Sequence, residues 1–352
     1  MVYEPNRTTG QTSFLEAWKG LFPNSQTELY NGAVPATGSD YLSVCFGEHL
    51  DEDVDLVLIE LAINDQRLES NANAYEWLLR GVLELPKRPA VINLQVTSAQ
   101  YYDTPILSIR NFLVPYILKH AELDEYYFCK NKEGTDWRHV DVHGHKVMAD
   151  ILIAYTQRQI CAVEMGKSRL QKADLKINEQ LPKMEDLDDI PRKYDRDTVL
   201  EKFSPTCQSV RTTKHPLTPI ENQGWYVSTS ATIIIISHCS YLFGRTIWTF
   251  KGRLDKPYLV AKNPGDFVKF EVLVGTMRRV RITYLKSKTF GLGDVWCWLD
   301  DDRAKGTKVS GWWNKENLNI ARVIVLSENA EPGKHTVTCE IMQETSDPGK
   351  GT

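Results

Sequence analysis

Residues 54–61 read Val-Asp-Leu-Val-Leu-Ile-Glu-Leu, a nearly continuous apolar run rich in β-branched side chains. A strand of that composition has no polar face to turn to water. It belongs in a sheet covered on both sides, which means a parallel sheet flanked by helices. A second run, Ala-Val-Ile-Asn-Leu-Gln-Val at 90–96, has the same character. Around both lie segments with the helical period: 13–21, with Phe14, Trp18 and Leu21 on one face; 40–46; 72–85, with Trp77, Leu78, Val82 and Leu85 at helical spacing; 106–123; and 142–161. Shorter strands are expected at 28–34 and 125–129. Alternation of strand and helix over short connections predicts a doubly wound parallel α/β sheet.

From Gly224 onward the helical period disappears. Strands are expected at 225–228, 232–237, 248–250, 258–260, 267–274, 280–285, 295–299, 309–312, 321–326 and 336–341. Turn signals such as Asn263-Pro264-Gly265 and Glu331-Pro332-Gly333-Lys334 separate them. That spacing predicts an all-β sandwich of jelly-roll type. Between the halves, half of residues 181–200 are charged, and Pro182, Pro191 and Pro205 interrupt any long helix. A chain of 352 residues suits about two domains. The expected division is an α/β domain over 1–162, a charged linker over 163–205, a β-sandwich over 206–346 and a tail over 347–352.

Composition narrows the function classes. Hydrophobic residues at 42% and charged residues at 25% are ordinary globular usage. A net charge of −4 gives no basic field for nucleic acid. No run of about 18 apolar residues is present, so no membrane span is expected. Residues 1–10 are polar and lack the basic and apolar regions of a signal peptide. The seven cysteines contain no C-x-x-C pair, which argues against common zinc and dithiol motifs and leaves the redox compartment open.

Two places carry chemistry. Ala62-Ile63-Asn64-Asp65 follows the first buried strand, and ligands of parallel sheets sit at the carboxyl ends of strands. The Asn64 amide there can donate to a developing oxyanion, a contribution of roughly 3 kcal/mol; the competing reading is a turn and helix cap. Asp136-Trp137-Arg138-His139 precedes the last helix, with Gly144-His145 just beyond. A carboxylate three residues before an imidazole, in the loop entering a helix, can hold one ring nitrogen and leave the other as a general base. A metal at His139 and His143 is the rival, but no third ligand stands at a telling spacing. His145 is expected to pack or cap at the helix start. No cofactor or metal is called for.

Together these blocks resemble the SGNH (GDSL-type) hydrolases over roughly residues 10–160. The resemblance implies that His139 is the base, that Asp136 orients it, and that the Asn64 side chain stabilises the oxyanion. Asn31-Gly-Ala-Val-Pro-Ala-Thr-Gly-Ser39 matches a further block, whose oxyanion N–H falls on Ala36, with Gly38 expected to supply the flexibility of the family's glycine. The family's Gly-Asp-Ser nucleophile block is absent, and no Gly-x-Ser element with an apolar residue after it lies before residue 31. The chain is therefore expected to start just after the nucleophile loop, without the first strand of the sheet. Thr8, Thr9 and Ser13 are the substitute hydroxyls, none on a strand-to-helix turn.

A finer resemblance, carried by residues 53–60, Pro205-Thr-Cys207 and residues 219–225, is to the eukaryotic branch that includes fungal capsule-associated proteins. It implies an esterase of the secretory pathway. Its expected substrate is a small ester or acetylated polysaccharide. In the form given, the domain is expected to be truncated and inactive. The alternative is a non-catalytic carbohydrate-binding or surface scaffold protein. Trp225, Trp296, Trp298, Trp312 and Trp313 are weighed as sugar platforms of the β domain against core packing. Asp300-Asp301-Asp302 is weighed as a calcium site against a solvated turn.

Overall fold

The computed structural model describes residues 10–34, 36–65, 69–94, 104–131, 134–170, 205–228, 257–315 and 319–349. In the first part, helix α1 (Gly10–Leu21) and helix α2 (Ser39–His49) precede strand β1 (Leu56–Ile59). Helix α3 (Glu69–Leu83), strand β2 (Ala90–Asn93) and helix α4 (Ile109–Ile117) follow. β1 and β2 pair in parallel, Leu56 opposite Ala90 through Ile59 opposite Asn93. Both faces are covered, as the composition of 54–61 demands. Val57 and Ile59 bury against Phe46, Tyr75, Leu78, Leu79 and Val82 of α2 and α3. Leu56 and Leu58 turn the other way, towards Phe14 of α1 and Ala149 and Leu152 of the last helix. Each such aliphatic side chain contributes about 1.5–3 kcal/mol on burial.

The expected strand at 28–34 does not form. The segment runs as irregular chain, with Leu29 and Tyr30 exposed and the Asn31 carboxamide accepting from the Ala33 N–H at 3.0 Å. A polar side chain that closes a local turn competes with a strand ladder. The helix expected over 106–123 is shorter, ending as α4 at Ile117 before a 3-10 turn at Ala121–Leu123. Residues 124–127 form a helical turn, α5 (Asp124–Tyr127), so of the strand expected at 125–129 only 128–129 are strand. Strand β3 (Phe128–Asn131) then pairs antiparallel with strand β4 (Gly134–Val140), a hairpin that the sequence reading did not anticipate. Helix α6 (Val142–Leu170) closes this part and runs into the stretch read as linker. Of that stretch, residues 171–204 lie outside the described residues.

Among its described residues the second part is built of strands, with one 3-10 turn at Arg303–Lys305. Strands β5 (Glu221–Gln223), β6 (Tyr226–Ser228), β7 (Tyr258–Val260), β8 (Phe267–Val274) and β9 (Val280–Lys286) are followed by β10 (Asp294–Leu299), β11 (Thr307–Ser310), β12 (Ile320–Ser327) and β13 (Gly333–Ile341). A five-stranded sheet has the order β11-β10-β13-β8-β5, and every pairing in it is antiparallel. Its inner face, Val268, Phe270, Val274, Cys297, Val309 and Val337, packs against Val280, Ile282, Tyr284, Ile324 and Leu326 of the β9–β12 pair. Cys297 and Cys339 stand opposite each other on β10 and β13 and are bridged by a disulfide. The strands expected at 232–237 and 248–250 lie outside the described residues.

A strap between the two parts binds both. Thr206 and Gln208 donate to the β8 carbonyls of Leu273 and Glu271. Cys207 is disulfide-bonded to Cys45 of α2. The Glu48 carboxylate, at the C-terminal end of α2, accepts from Thr212 Oγ1 at 2.8 Å and pairs with His215 Nδ1 at 2.6 Å. Lys214 donates to the carbonyls of Gly47 and Leu50, where a cation complements the helix dipole.

Candidate active site

The loop that enters α2 holds the first group of site residues. Ala36 has φ 61, the left-handed region that an L side chain rarely adopts. Its carbonyl accepts from the Ala321 N–H of the β domain at 3.0 Å. Among the described residues nothing accepts from its own N–H. Thr37 Oγ1 closes the turn onto the Val34 carbonyl at 2.7 Å. Gly38 is extended, at φ −118, so its glycine character supplies space and not the flexibility expected of it. A Cβ there would stand 2.3 Å from Asp65 Oδ1.

Asn64 and Asp65 close around this loop. Both backbone N–H groups bond the Leu61 carbonyl at 3.0 Å, forming the turn after β1. The Asn64 amide donates to the Thr37 carbonyl at 2.9 Å, which sets it beside the Thr37–Gly38 peptide of that loop, and its second N–H has no acceptor among the described residues. Asp65 Oδ1 accepts from the Ser39 N–H at 2.7 Å and so caps α2, whose own N-cap, Gly38, has no side chain to do it. The turn-and-cap reading therefore holds for Asp65, though the helix it caps is α2 and not the one that follows it.

Asp136 and His139 form the second group. Asp136 Oδ2 meets His139 Nδ1 at 2.7 Å. Both lie on β4, not in a loop entering a helix. A register shift brings them together: Cys129 pairs with Asp136, yet its neighbour Phe128 pairs with Val140. Trp137, Arg138 and His139 thus stand outside the ladder, and the chain folds the imidazole back onto the carboxylate. The Asp136 side chain is 9% exposed and that of His139 43%. A carboxylate only accepts, so the proton of this contact sits on Nδ1, and in the neutral ring Nε2 is the nitrogen that can accept. Gly144 lets the first turn of α6 seat against the end of β4, for a Cβ there would meet the Tyr127 carbonyl oxygen at 2.4 Å. His145 packs at that helix start, and burial lowers its pKa to about 4. His143 stacks on Tyr126 at 3.7 Å.

Cations from the β domain lie near the first turn of α2 and over α3. Asp40, in the first turn of α2, has its pKa raised by burial and by the nearby Asp65, against the opposing pull of Arg281 and Arg322. Arg279 and Arg281 lie over the Trp77 ring at 5.0 and 4.5 Å. Elsewhere in the β domain, Asp300 accepts from the Thr336 N–H and His335, and Asp302 pairs with Lys305. These carboxylates are committed to protein partners and form no calcium cradle. Among the described residues no cluster of three or more His, Cys, Asp or Glu is placed to hold a metal ion. The weighed tryptophans are partly buried. Trp225 packs on the core, Trp296 donates to the Arg303 carbonyl under its loop, and Arg303 covers Trp298.

Sequence reasoning named Asn64, Ala36, Asp136 and His139, and the structure joins them as two pairs, Asn64 beside the Ala36 loop and Asp136 on His139. It missed that the helix capped by Asp65 is α2, and it missed Ala321 as the tie on Ala36. The β4 hairpin had a signal in Gly134, whose φ of 122 turns the chain between β3 and β4.

No family model and no curated protein sequence matches the chain. The fold is shared with two crystal structures of a two-domain esterase (CEX) active on acetylated mannans, one of them co-crystallized with mannopentaose. The mannopentaose complex is 16% identical and aligns with a TM-score of 0.59 over 96% of this chain and 81% of that one. The other is 15% identical, with a TM-score of 0.58 over the same shares.

Proposed function

We propose that the protein is an SGNH-type ester hydrolase acting on acetyl esters of a polysaccharide. The observation that carries this reading is the pairing of a buried carboxylate, Asp136, with a half-exposed imidazole, His139, at 2.7 Å. The shared fold of a mannan-acting esterase supports it, as do helices on both faces of a parallel sheet. In this reading, residues 1–162 are the doubly wound hydrolase domain, 163–205 the linker and 206–346 a jelly-roll-like sandwich. The Cys45–Cys207 and Cys297–Cys339 disulfides suit a secreted protein.

His139 Nε2 takes the proton of an attacking serine as its oxygen adds to the acetyl carbonyl. Asp136 fixes the ring and stabilises the imidazolium that forms. Negative charge on the carbonyl oxygen is met by the second Asn64 amide N–H and the Ala36 N–H. The imidazolium then gives its proton to the departing sugar hydroxyl. Water, activated by the same nitrogen, releases acetate from the acyl-enzyme. None of the four assigned groups is a nucleophile; the attacking hydroxyl belongs to the Gly-Asp-Ser block that the family resemblance sets ahead of Asn31.

The test measures acetate release from acetylated mannan by the chain as given and with a Gly-Asp-Ser strand and turn supplied ahead of it. Activity is expected with the block supplied. In that background, Asn64→Ala should lower kcat about 100- to 1,000-fold, and His139→Ala should remove most of it. Equal rates for wild type and His139→Ala would refute the roles. A protein that binds the polysaccharide yet stays inert with the block in place is a carbohydrate-binding protein instead.

A further inference from the structure

Trp137 is 56% exposed, and it is the exposed tryptophan among those described. Tryptophan is highly buried on average, so an open indole needs a reason. The ring is not loose. It rests on Phe128 at 5.2 Å, and Phe128 is buried in a cluster with Leu113 and Ile117 of α4. A side chain braced from behind and open in front is a platform.

Its position ties it to the candidate site. Trp137 and His139 both leave the ladder in the bulged part of β4, and the carboxylate partner of His139 immediately precedes Trp137. Two trans peptide steps separate Cα atoms by at most about 7 Å. The indole and the imidazole thus rise from neighbouring backbone positions on one bulge. Other rings lack that opportunity: Trp77 is buried and covered by Arg279 and Arg281, and Trp313 is partly buried with Lys315 and Arg322 over its ring.

We propose that Trp137 is a sugar-stacking subsite that holds a pyranose of the polysaccharide backbone beside His139. This rests on the ester-hydrolase reading for the place of the site, and it adds the residue that selects a polymer over a small ester. The electron-rich indole face attracts the C–H face of a pyranose, and the indole N–H adds a polar contact at the edge. Trp137 makes the contact to the sugar; His139 does the chemistry.

The test is affinity electrophoresis through gels containing acetylated mannan or its deacetylated form, on the wild type, Trp137→Ala and Trp137→Phe. Thermal melts serve as a fold control, for which an exposed ring predicts little change. Both polymers are expected to retard the wild type. Trp137→Ala should weaken the apparent affinity about tenfold, and Trp137→Phe should recover most of it. A wild type that neither polymer retards, or an alanine variant that binds like wild type, overturns the subsite. The two proposals fail separately. Binding that depends on Trp137 without any acetate release, even with the serine block supplied, upholds the subsite and sinks the hydrolase. With that block, polymer deacetylation equally fast in Trp137→Ala and wild type does the reverse.

Discussion

Replacing Ala36 with glycine should stabilise the protein, against the usual direction of such a change. At φ 61 an L residue is strained by about 1–2 kcal/mol, because its Cβ crowds the following carbonyl. Glycine escapes that strain. It also loosens the unfolded chain, which costs about 0.4–1 kcal/mol. The balance is a gain of about 0.5–1 kcal/mol, a rise in Tm of about 1–4 °C for a unit of 150–250 residues. The Ala36 carbonyl would still accept from the Ala321 N–H, so no hydrogen bond is exchanged for the gain. Urea midpoints with the disulfides intact, at constant m, are the assay. Ala36→Val is the control: a β-branched residue suffers more at positive φ, and its midpoint should fall by more than the glycine variant's rises. A glycine variant less stable than wild type, or a neutral valine, would mean that residue 36 is not held in the left-handed region. The direction assigned to its N–H would fall with it.

Gly38→Ala pushes a Cβ against Asp65 Oδ1, so the carboxylate must leave the Ser39 N–H; losing that charge-assisted cap should cost about 1.5–3 kcal/mol by urea titration, and a neutral result would refute the cap. Cys45→Ser/Cys207→Ser opens a bridge spanning a sequence separation of 162, for which chain entropy gives up to about 5 kcal/mol. An unchanged thermal midpoint would show that the strap holds without it. His145, with its pKa lowered to about 4 by burial, leaves the unfolded chain binding a proton that the folded one refuses below the ordinary value of 6.5. Its share of stability is present above about pH 6.5 and is lost as pH falls towards 4, by about 2–3 kcal/mol. His145→Gln should flatten that part of the urea midpoint's pH profile, and a slope equal to wild type would refute the burial argument.

The parts of the fold legible in the sequence are those set by continuous apolar pattern. β1 and β2 turn their side chains alternately into two covered faces, and β8, β9, β10 and β12 fall within a residue or two of where period and turn signals put them. Residues 28–34 and 125–127 went the other way for local reasons. Asn31 closes a turn on its own backbone, and Asp124 with Glu125 at the start of a helical turn suits the helix dipole better than a strand edge. In the candidate site, a spaced pair was enough to anticipate the contact of Asp136 with His139, because short-range chemistry has a short-range signature. The register shift opposite Phe128 and Cys129 has none. It arises from how two strands meet, and it is what turns an Asp-x-x-His spacing into a 2.7 Å contact on a strand.

The least legible element is the tie from Ala321 to Ala36, since a backbone N–H carries no residue identity at all. Its consequence is architectural. Helix α2 is gripped at both ends from beyond the α/β sheet: its C-terminal end by Cys207, Thr212 and His215 through Cys45 and Glu48, and its N-terminal loop by β12 through Ala36. The left-handed conformation of Ala36 is strained, and such a conformation persists only where its surroundings over-determine it. Here those surroundings come from both domains: Asn64 and Asp65 hold the flanking Thr37 and Ser39 from one side, and Ala321 holds Ala36 itself from the other. The antiparallel β domain is thereby part of what shapes the candidate oxyanion loop, and a functional account that assigned catalysis to one part of the chain and binding to the other would leave that loop without half of its support.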